Sequence, residues 1–340
     1  MLFPDLPACS LATILNRAVA AARSLSASEM ALVLSFPPDT GFDAELFAAA
    51  REVKAKCGKT EVLPRGLIET SNVCAKDCLY CGIRKSNAKV SRYRLDEAQA
   101  LDCVREAVRR GYPAVAFQAG EIESEANTAF YERLLKGIGD IPFSRDTTSL
   151  EVTLSLGEQT EEAYRRWKAA AGNRILRYLI RIETSNRDLY ARIHPPECSF
   201  GRRLNCIRTL KRLGYVTGSG VMIGLPGQTC QDFANDIVFF GEERLDMVGM
   251  GPYVPNVDTP LGKCRIENEE CRMRLSLRMI ALTRLYLHDI NIVAATALDA
   301  LDPAHGRERG VAAGANVVMP VLTPAAFRAA YGLYPGKAPL

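Results

Sequence analysis

Over the first sixty residues apolar positions recur three and four apart, the period of a helix with one buried face. Ser10 opens one such stretch, Ser26 and Glu29 form a capping-box pattern for a second, and Asp43 begins a third that runs to about Lys56. Beyond residue 60 the pattern changes to short β-rich runs alternating with helical periods. Candidate strands fall at 66–70, 114–118, 151–156, 177–183, 217–223, 246–251, 292–296 and 316–319. Helical periods lie between them, for example at 96–110, 161–171, 200–213, 232–243 and 270–288. Eight strands separated by helices predict an α/β fold, a complete (β/α)8 barrel, because parallel strands need crossovers and closure removes the edges. A doubly wound open sheet shares the alternation, but eight is the number of units that closes. With no internal repeat or low-complexity linker, residues 1–60 read as a helical extension packed on a barrel of residues 61–340.

Composition narrows the class. The 340 residues are 48% hydrophobic and 24% charged, ordinary for a globular protein with a large core. Forty-three Lys and Arg against thirty-nine Asp and Glu leave a net charge of +4, with the signs interspersed. That pattern offers no footprint for nucleic acid or a membrane surface. The longest uncharged stretch, 310–327, is broken by Gly314, Pro320 and Pro324 and reads as a buried strand with its loops. No signal-peptide pattern opens the chain. Eleven cysteines without an export signal point to a reducing cytoplasm, where clustered Cys bind metal more often than they form disulfides.

Directly after the first candidate strand comes Cys74-Ala-Lys-Asp-Cys78-Leu-Tyr-Cys81-Gly. Three thiolates within eight residues, on a loop leaving the C-terminal edge of a barrel strand, converge where barrel enzymes do chemistry. Thiolates suit iron-sulfur clusters or zinc. Structural zinc wants four ligands, and no second CxxC follows, although Cys57 is available as a fourth. Three ligands on a four-iron cluster instead leave one iron open to a substrate.

Other residues carry weaker signals. Strand alternation puts Arg181 and Glu183 on one face near the predicted barrel mouth, as a structural ion pair or as a site. Gly120, before Glu121, lets backbone approach a ligand closely. Thr153 and Ser155 share a face expected to point into the barrel, where buried hydroxyls need partners. The segment 220–227 lacks the Lys-Ser/Thr of a phosphate loop. His194, His288 and His305 show no metal-ligand spacing and receive no role.

The CxxxCxxC spacing with Tyr80 before its last cysteine resembles the signature of radical S-adenosylmethionine (SAM) enzymes. The stretches GLIETSNVCAKDCLYCGIR, VTLSLGE, IRIETSN, LNCIRTLKRLGYVTGSGVMIGLPGQT, DMVGMGPYVPNVDTPL, GANVVMP and YPGK resemble, in this order, the HydE family of FeFe-hydrogenase maturases. Biotin synthase and methylornithine synthase are related barrels. The resemblance implies a 4Fe-4S cluster on Cys74, Cys78 and Cys81 whose open iron chelates SAM, and reductive cleavage to a 5'-deoxyadenosyl radical. It implies that Gly120 and Glu121 contact the methionine amino group, Arg203 clamps its carboxylate, Glu183 holds the ribose hydroxyls, and Met250 with Gly251 supports the adenine. Tyr80 belongs to the same cofactor set. Arg181, Thr153, Ser155, Thr296 and Ala297 would face the substrate, with Tyr331 and Tyr334 closing the floor of the cavity or merely packing.

The implied substrate is a cysteine-bound iron carbonyl cyanide precursor made by HydG and passed on toward HydF. A flavodoxin or ferredoxin would supply electrons. The sequence departs from the family at Ile182, which faces away from Glu183, and in the loop 295–300, where threonines are lost and Asp299 is gained. Without the C-terminal cysteines some relatives carry, one cluster is expected. The competing functions are a HydE-like enzyme acting on another small amino acid or thioether, and a non-catalytic iron-sulfur carrier.

Overall fold

The computed structural model describes residues 8–38, 41–143 and 149–337. Three helices come first, α1 (Ala8–Ala20), α2 (Ala27–Ser35) and α3 (Phe42–Lys56). Strands and helices then alternate: β1 (Leu63–Ser71), α4 (Glu97–Arg109), β2 (Ala114–Ala119), α5 (Glu125–Ile138), β3 (Glu151–Ser155), α6 (Glu161–Ala171) and β4 (Leu176–Leu179). The second half has α7 (Arg187–Ile193), α8 (Phe200–Arg212), β5 (Val216–Ile223), α9 (Cys230–Glu242), β6 (Met247–Pro252) and α10 (Glu269–Leu287). It finishes with β7 (Asn291–Ala294), α11 (Thr296–Leu301), α12 (Gly306–Ala312), β8 (Val317–Val318) and α13 (Ala325–Arg328). The strands pair in chain order, all parallel, and β8 returns to β1, so the barrel is closed. The open-sheet alternative is thereby excluded.

Short polar residues start the barrel helices where the pattern places them. Asp96 with Gln99 and Thr229 with Asp232 form reciprocal capping boxes, and Ser124, Thr160, Ser199 and Asn268 each accept an orphan amide. Along the strands every second residue faces inward: Arg65 and Leu67, Ala116 and Gln118, Thr153 and Ser155, then Met247, Gly249 and Gly251. The intervening residues, such as Ile68, Val115, Phe117, Val152 and Leu154, are buried against the helix ring.

Two strands end two or more residues earlier than their alternation suggests. β4 stops at Leu179 rather than running to residue 183: the ladder with β5 breaks there and returns only as a single bridge from Glu183 to Val221, where the φ of Glu183, +65°, lies in the left-handed region. Thr296 is not a strand residue but the first residue of α11. The N-terminal helices share the barrel's apolar core: α2 packs on α9 and α3 on α10. Arg278 of α10 ties the two layers, its Nε 2.6 Å from Asp43 Oδ1. Among the described residues no helix is long and apolar enough to cross a membrane.

Candidate functional site

At the C-terminal ends of the strands lies a cavity of about 310 Å³, and its wall includes Cys74, Cys78, Tyr80 and Cys81. The cysteine loop carries almost no regular structure, so side chains and amides hold its backbone. Arg92 does most of this: Nη1 donates to the carbonyls of Asn72 (2.7 Å) and Ile83 (2.8 Å), and Nη2 to that of Arg84 (2.6 Å). Asp77 binds Arg84 Nε at 2.7 Å and the Ser86 amide at 3.0 Å, which hold its carboxyl well below the usual range. The loop is also pinned from the C-terminal segment, where Gly82 N–H donates to Leu333 O at 2.9 Å. A Cβ on Gly82 would lie 2.0 Å from Gly332 O, so only glycine fits there.

Cys74 Sγ accepts two amides, from Glu121 at 3.3 Å and Lys76 at 3.4 Å, the donors a ligating thiolate needs. Burial raises the Cys74 thiol and pushes Cys81 up to about 12; a hydrogen bond with Cys198, then burial, raises Cys78. All three are thus shifted toward the protonated thiol, and binding iron would displace the protons. Among the described residues no three Cys, His, Asp or Glu side chains converge tightly enough for a single metal ion. Cys57 ends α3 and does not line the cavity, so it is no fourth ligand for zinc. Three cavity-lining sulfurs, with two amide donors on that of Cys74, fit a multi-iron cluster.

Next to the thiols lies a charge network that the sequence only partly disclosed. Glu121 sits 3.2 Å from Lys76 Nζ and 3.5 Å from Arg203 Nη2. Arg203 Nε donates to buried Glu158 at 2.7 Å, and Nη1 to Arg181 O at 2.9 Å. Arg203 lines the cavity, whereas Arg202 is half exposed and bonds Glu123 and Glu158 outside it. This cluster of ammonium, guanidinium and carboxylates is suited to a zwitterionic amino-acid end. Gly120 serves the loop itself: a Cβ there would meet Val73 O at 2.2 Å. Lys76 and Glu158, missed as site residues, had signals in hindsight: Lys76 lies inside the cysteine pattern, and Glu158 closes VTLSLGE.

Adjoining this network, Arg181 and Glu183 face the cavity together, as strand alternation suggested. Arg181 Nε donates to Glu183 Oε1 (2.9 Å) and Oε2 (3.0 Å), Nη1 to Gly249 O (3.1 Å) and Nη2 to Val221 O (2.7 Å). The glycines of β5 and β6 make that room, since a Cβ on Gly220 would touch Gly249 O at 1.9 Å and Arg181 Nη1 at 3.3 Å.

Thr153 and Ser155 line the cavity, and Thr153 Oγ1 is buried with no hydrogen-bond partner. An orphaned hydroxyl facing a cavity is the mark of a place prepared for a ligand. Thr296 Oγ1 lies 2.7 Å from Tyr334 Oη, and Ala297 sits beside them on the wall. Tyr331 and Tyr334 stand beside the cysteine loop at the strand ends, while Arg65, Leu67, Ala116, Met247 and Met319 line the deeper part.

Met250 is placed differently from the other candidates. Its side chain is fully buried in the core behind β6, near Thr283 of α10, so only its backbone can approach the cavity. Strand phase explains this, because Met247, Gly249 and Gly251 occupy the inward positions. Asp299 also points away, ion-paired with Arg307 of α12. His194, given no role from sequence, orients Tyr80: its Nδ1–H donates to Tyr190 O at 2.9 Å and Nε2 accepts from Tyr80 Oη at 3.1 Å.

The sequence pattern of the Radical SAM superfamily matches residues 68–240. The chain is 44% identical over 299 residues to the FeFe-hydrogenase maturase subunit HydE of Thermotoga maritima, covering 88% of this chain and 81% of that protein. Crystal structures of methylornithine synthase (TM-score 0.77, 22% identity, 92% of this chain and 87% of that one) and of HydG from Carboxydothermus hydrogenoformans (0.74, 20%, 91% and 70%) share the fold. A closed eight-stranded barrel, three cysteines in a glycine-walled mouth and this extent of identity place the chain in the radical SAM superfamily, among its HydE maturases.

Proposed function

We propose that this chain acts as a HydE-type maturase on a cysteine-bound iron carbonyl cyanide precursor during assembly of the FeFe-hydrogenase cofactor. The observation that carries the reading is one cavity lined both by the cysteine loop and by the Arg181, Thr153, Ser155 and Thr296 wall, in a chain 44% identical to HydE.

Cys74, Cys78 and Cys81 would hold a 4Fe-4S cluster, with the Lys76 and Glu121 amides stabilising the Cys74 thiolate. When bound, cluster and S-adenosylmethionine supply reductive one-electron cleavage chemistry. Glu121 receives the cofactor's ammonium and Arg203 its carboxylate, so the two charges are matched before the reaction starts. Glu183 accepts the ribose hydroxyls, Gly120 keeps the cysteine loop close, and Tyr80, oriented by His194, fills the side of the loop. The Met250 backbone is the remaining contact for the adenine. Arg181 faces a carboxylate of the substrate, the Thr153, Ser155 and Thr296 hydroxyls orient its polar groups, and Ala297 leaves space.

A HydG-type enzyme would deliver the precursor, a HydF-type scaffold would take the product, and a cytoplasmic flavodoxin or ferredoxin would provide electrons. The test is anaerobic 5'-deoxyadenosine formation by the cluster-loaded chain, with and without the iron-cysteine product of HydG. Strong stimulation by that product supports the assignment. Cleavage without stimulation favours a second reading, a different small amino acid or thioether as substrate. That reading draws on the wall beside Gly251, where a Cβ on the glycine would lie 3.0 Å from Ala295 Cβ and 3.4 Å from Ala297 Cβ, an apolar surface. Absence of cleavage despite a full cluster would point to an iron-sulfur carrier.

A further inference from the structure

Asp236, on α9 outside the cavity, is fully buried. Its Oδ1 accepts both the backbone N–H and the hydroxyl of Ser185, each at 2.6 Å, while Oδ2 is buried with no partner. A buried carboxyl with an unsatisfied oxygen is a costly way to accept two hydrogen bonds. Burial and neighbouring Asp232 push it up, against the Ser185 bonds, to about 7.

The segment that Asp236 grips explains the expense. Ser185 lies two residues past Glu183, whose left-handed backbone is disfavoured for any residue with a Cβ. On the other side Glu183 is tied to β5: its N–H donates to Gly220 O at 2.9 Å, and its carbonyl accepts from Met222 N–H at 3.0 Å. Thr184, between the two anchors, is fully buried. The turn is thus held between β5 and α9, and at its α9 end Ser185 is bound by one carboxyl oxygen, Asp236 Oδ1. Asn186 reinforces this end, its Nδ2 donating to Asp232 at 2.8 Å.

We propose that Asp236 is a positioning residue for the cofactor: through Ser185 it holds Glu183 in the left-handed turn that presents its carboxylate to the cavity, and it thereby sets S-adenosylmethionine affinity at the expense of stability. The inference rests on the reading of Glu183 as a cofactor ligand.

The experiment compares Asp236→Leu and Asp236→Asn with the parent, all full-length and cluster-loaded, by anaerobic calorimetric titration with S-adenosylmethionine and by thermal unfolding. Leu removes the acceptor and the unpartnered oxygen together, whereas Asn keeps a carbonyl for the Ser185 N–H. Leu should bind the cofactor about tenfold more weakly, with an unfolding midpoint no lower than the parent's and an unchanged turnover at saturating cofactor. Asn should restore affinity to within about twofold. Unchanged affinity in Asp236→Leu overturns the proposal, and so does a parallel fall of affinity and midpoint in both variants, which a purely structural role predicts. Glu183→Gln separates the premises: if it binds as tightly as the parent, the Glu183 reading itself fails and takes this inference with it. If it binds weakly while Asp236→Leu does not, only the inference about Asp236 fails.

Discussion

Arg181 Nε is bound to both carboxylate oxygens of Glu183, at 2.9 and 3.0 Å, two residues along a segment that has already left the β4 ladder. The same guanidinium spends its other nitrogens on the Gly249 and Val221 carbonyls. Arg181 therefore fixes the wall of the cavity as well as facing it. Arg181→Met leaves the Glu183 carboxylate without its counter-charge, and we expect a loss of about 2 kcal/mol of stability, read by urea denaturation. Lysine at this position cannot span two carbonyls and a carboxylate, so Arg181→Lys should recover only part of that loss.

Gly120 carries a sharper steric constraint. Its Cβ position lies 2.2 Å from the Val73 carbonyl and 2.8 Å from Cys74 Cβ, both parts of the cysteine loop. Gly120→Ala must push that backbone away, at about 1–3 kcal/mol for overpacking. The variant should fold but retain less iron after anaerobic reconstitution, measured as iron per chain. Parent-like iron content would show that the loop yields without disturbing its cysteines.

Thr153 offers the opposite trade. Its hydroxyl is buried without a partner, so Thr153→Val removes an uncompensated polar atom and should stabilise the fold by about 1 kcal/mol. The same change should lower stimulation of cofactor cleavage by the substrate while leaving cofactor affinity alone. Denaturant titration and the deoxyadenosine assay together read both effects.

His194 gives the fold a pH dependence of definite sign. Burial lowers its pKa from the ordinary 6.5 to about 4, against the hydrogen bond to Tyr190. Between those values the unfolded chain binds the proton at this group and the folded chain does not, so the contribution of His194 to stability falls as pH drops from about 6.5 to about 4 and levels off below, opposite in sign to that of Asp236. The full effect is on the order of 3 kcal/mol. In His194→Asn the difference in unfolding free energy between pH 7.5 and pH 5 should shrink. An unchanged difference would place the titration elsewhere.

The sequence discloses what depends on periodicity and spacing. All eight strands, the N-terminal helices and the cysteine loop are legible because alternation, capping residues and the CxxxCxxC interval are local. Its failures occur where local pattern is silent about backbone angle or distant partners. Ile180, Arg181, Ile182 and Glu183 keep a strand's alternation while the chain is already turning, since alternation carries no information about the φ of Glu183. Arg92 is invisible for another reason: it binds backbone carbonyls, which every residue has. Lys76, Glu158 and His194 take their roles from partners 45 or more residues away. Met250 could have been placed from the inward phase that Gly249 and Gly251 mark.

The most direct test of the central claim is replacement of HydE by this chain in an anaerobic maturation mixture containing HydG, HydF, a reductant, S-adenosylmethionine and an unmatured FeFe-hydrogenase, with hydrogen evolution as the readout. The account predicts hydrogen evolution that requires this chain and disappears with Cys78→Ala. An inactive hydrogenase in a mixture where the chain visibly cleaves its cofactor would contradict the maturase assignment and leave a radical enzyme with another substrate.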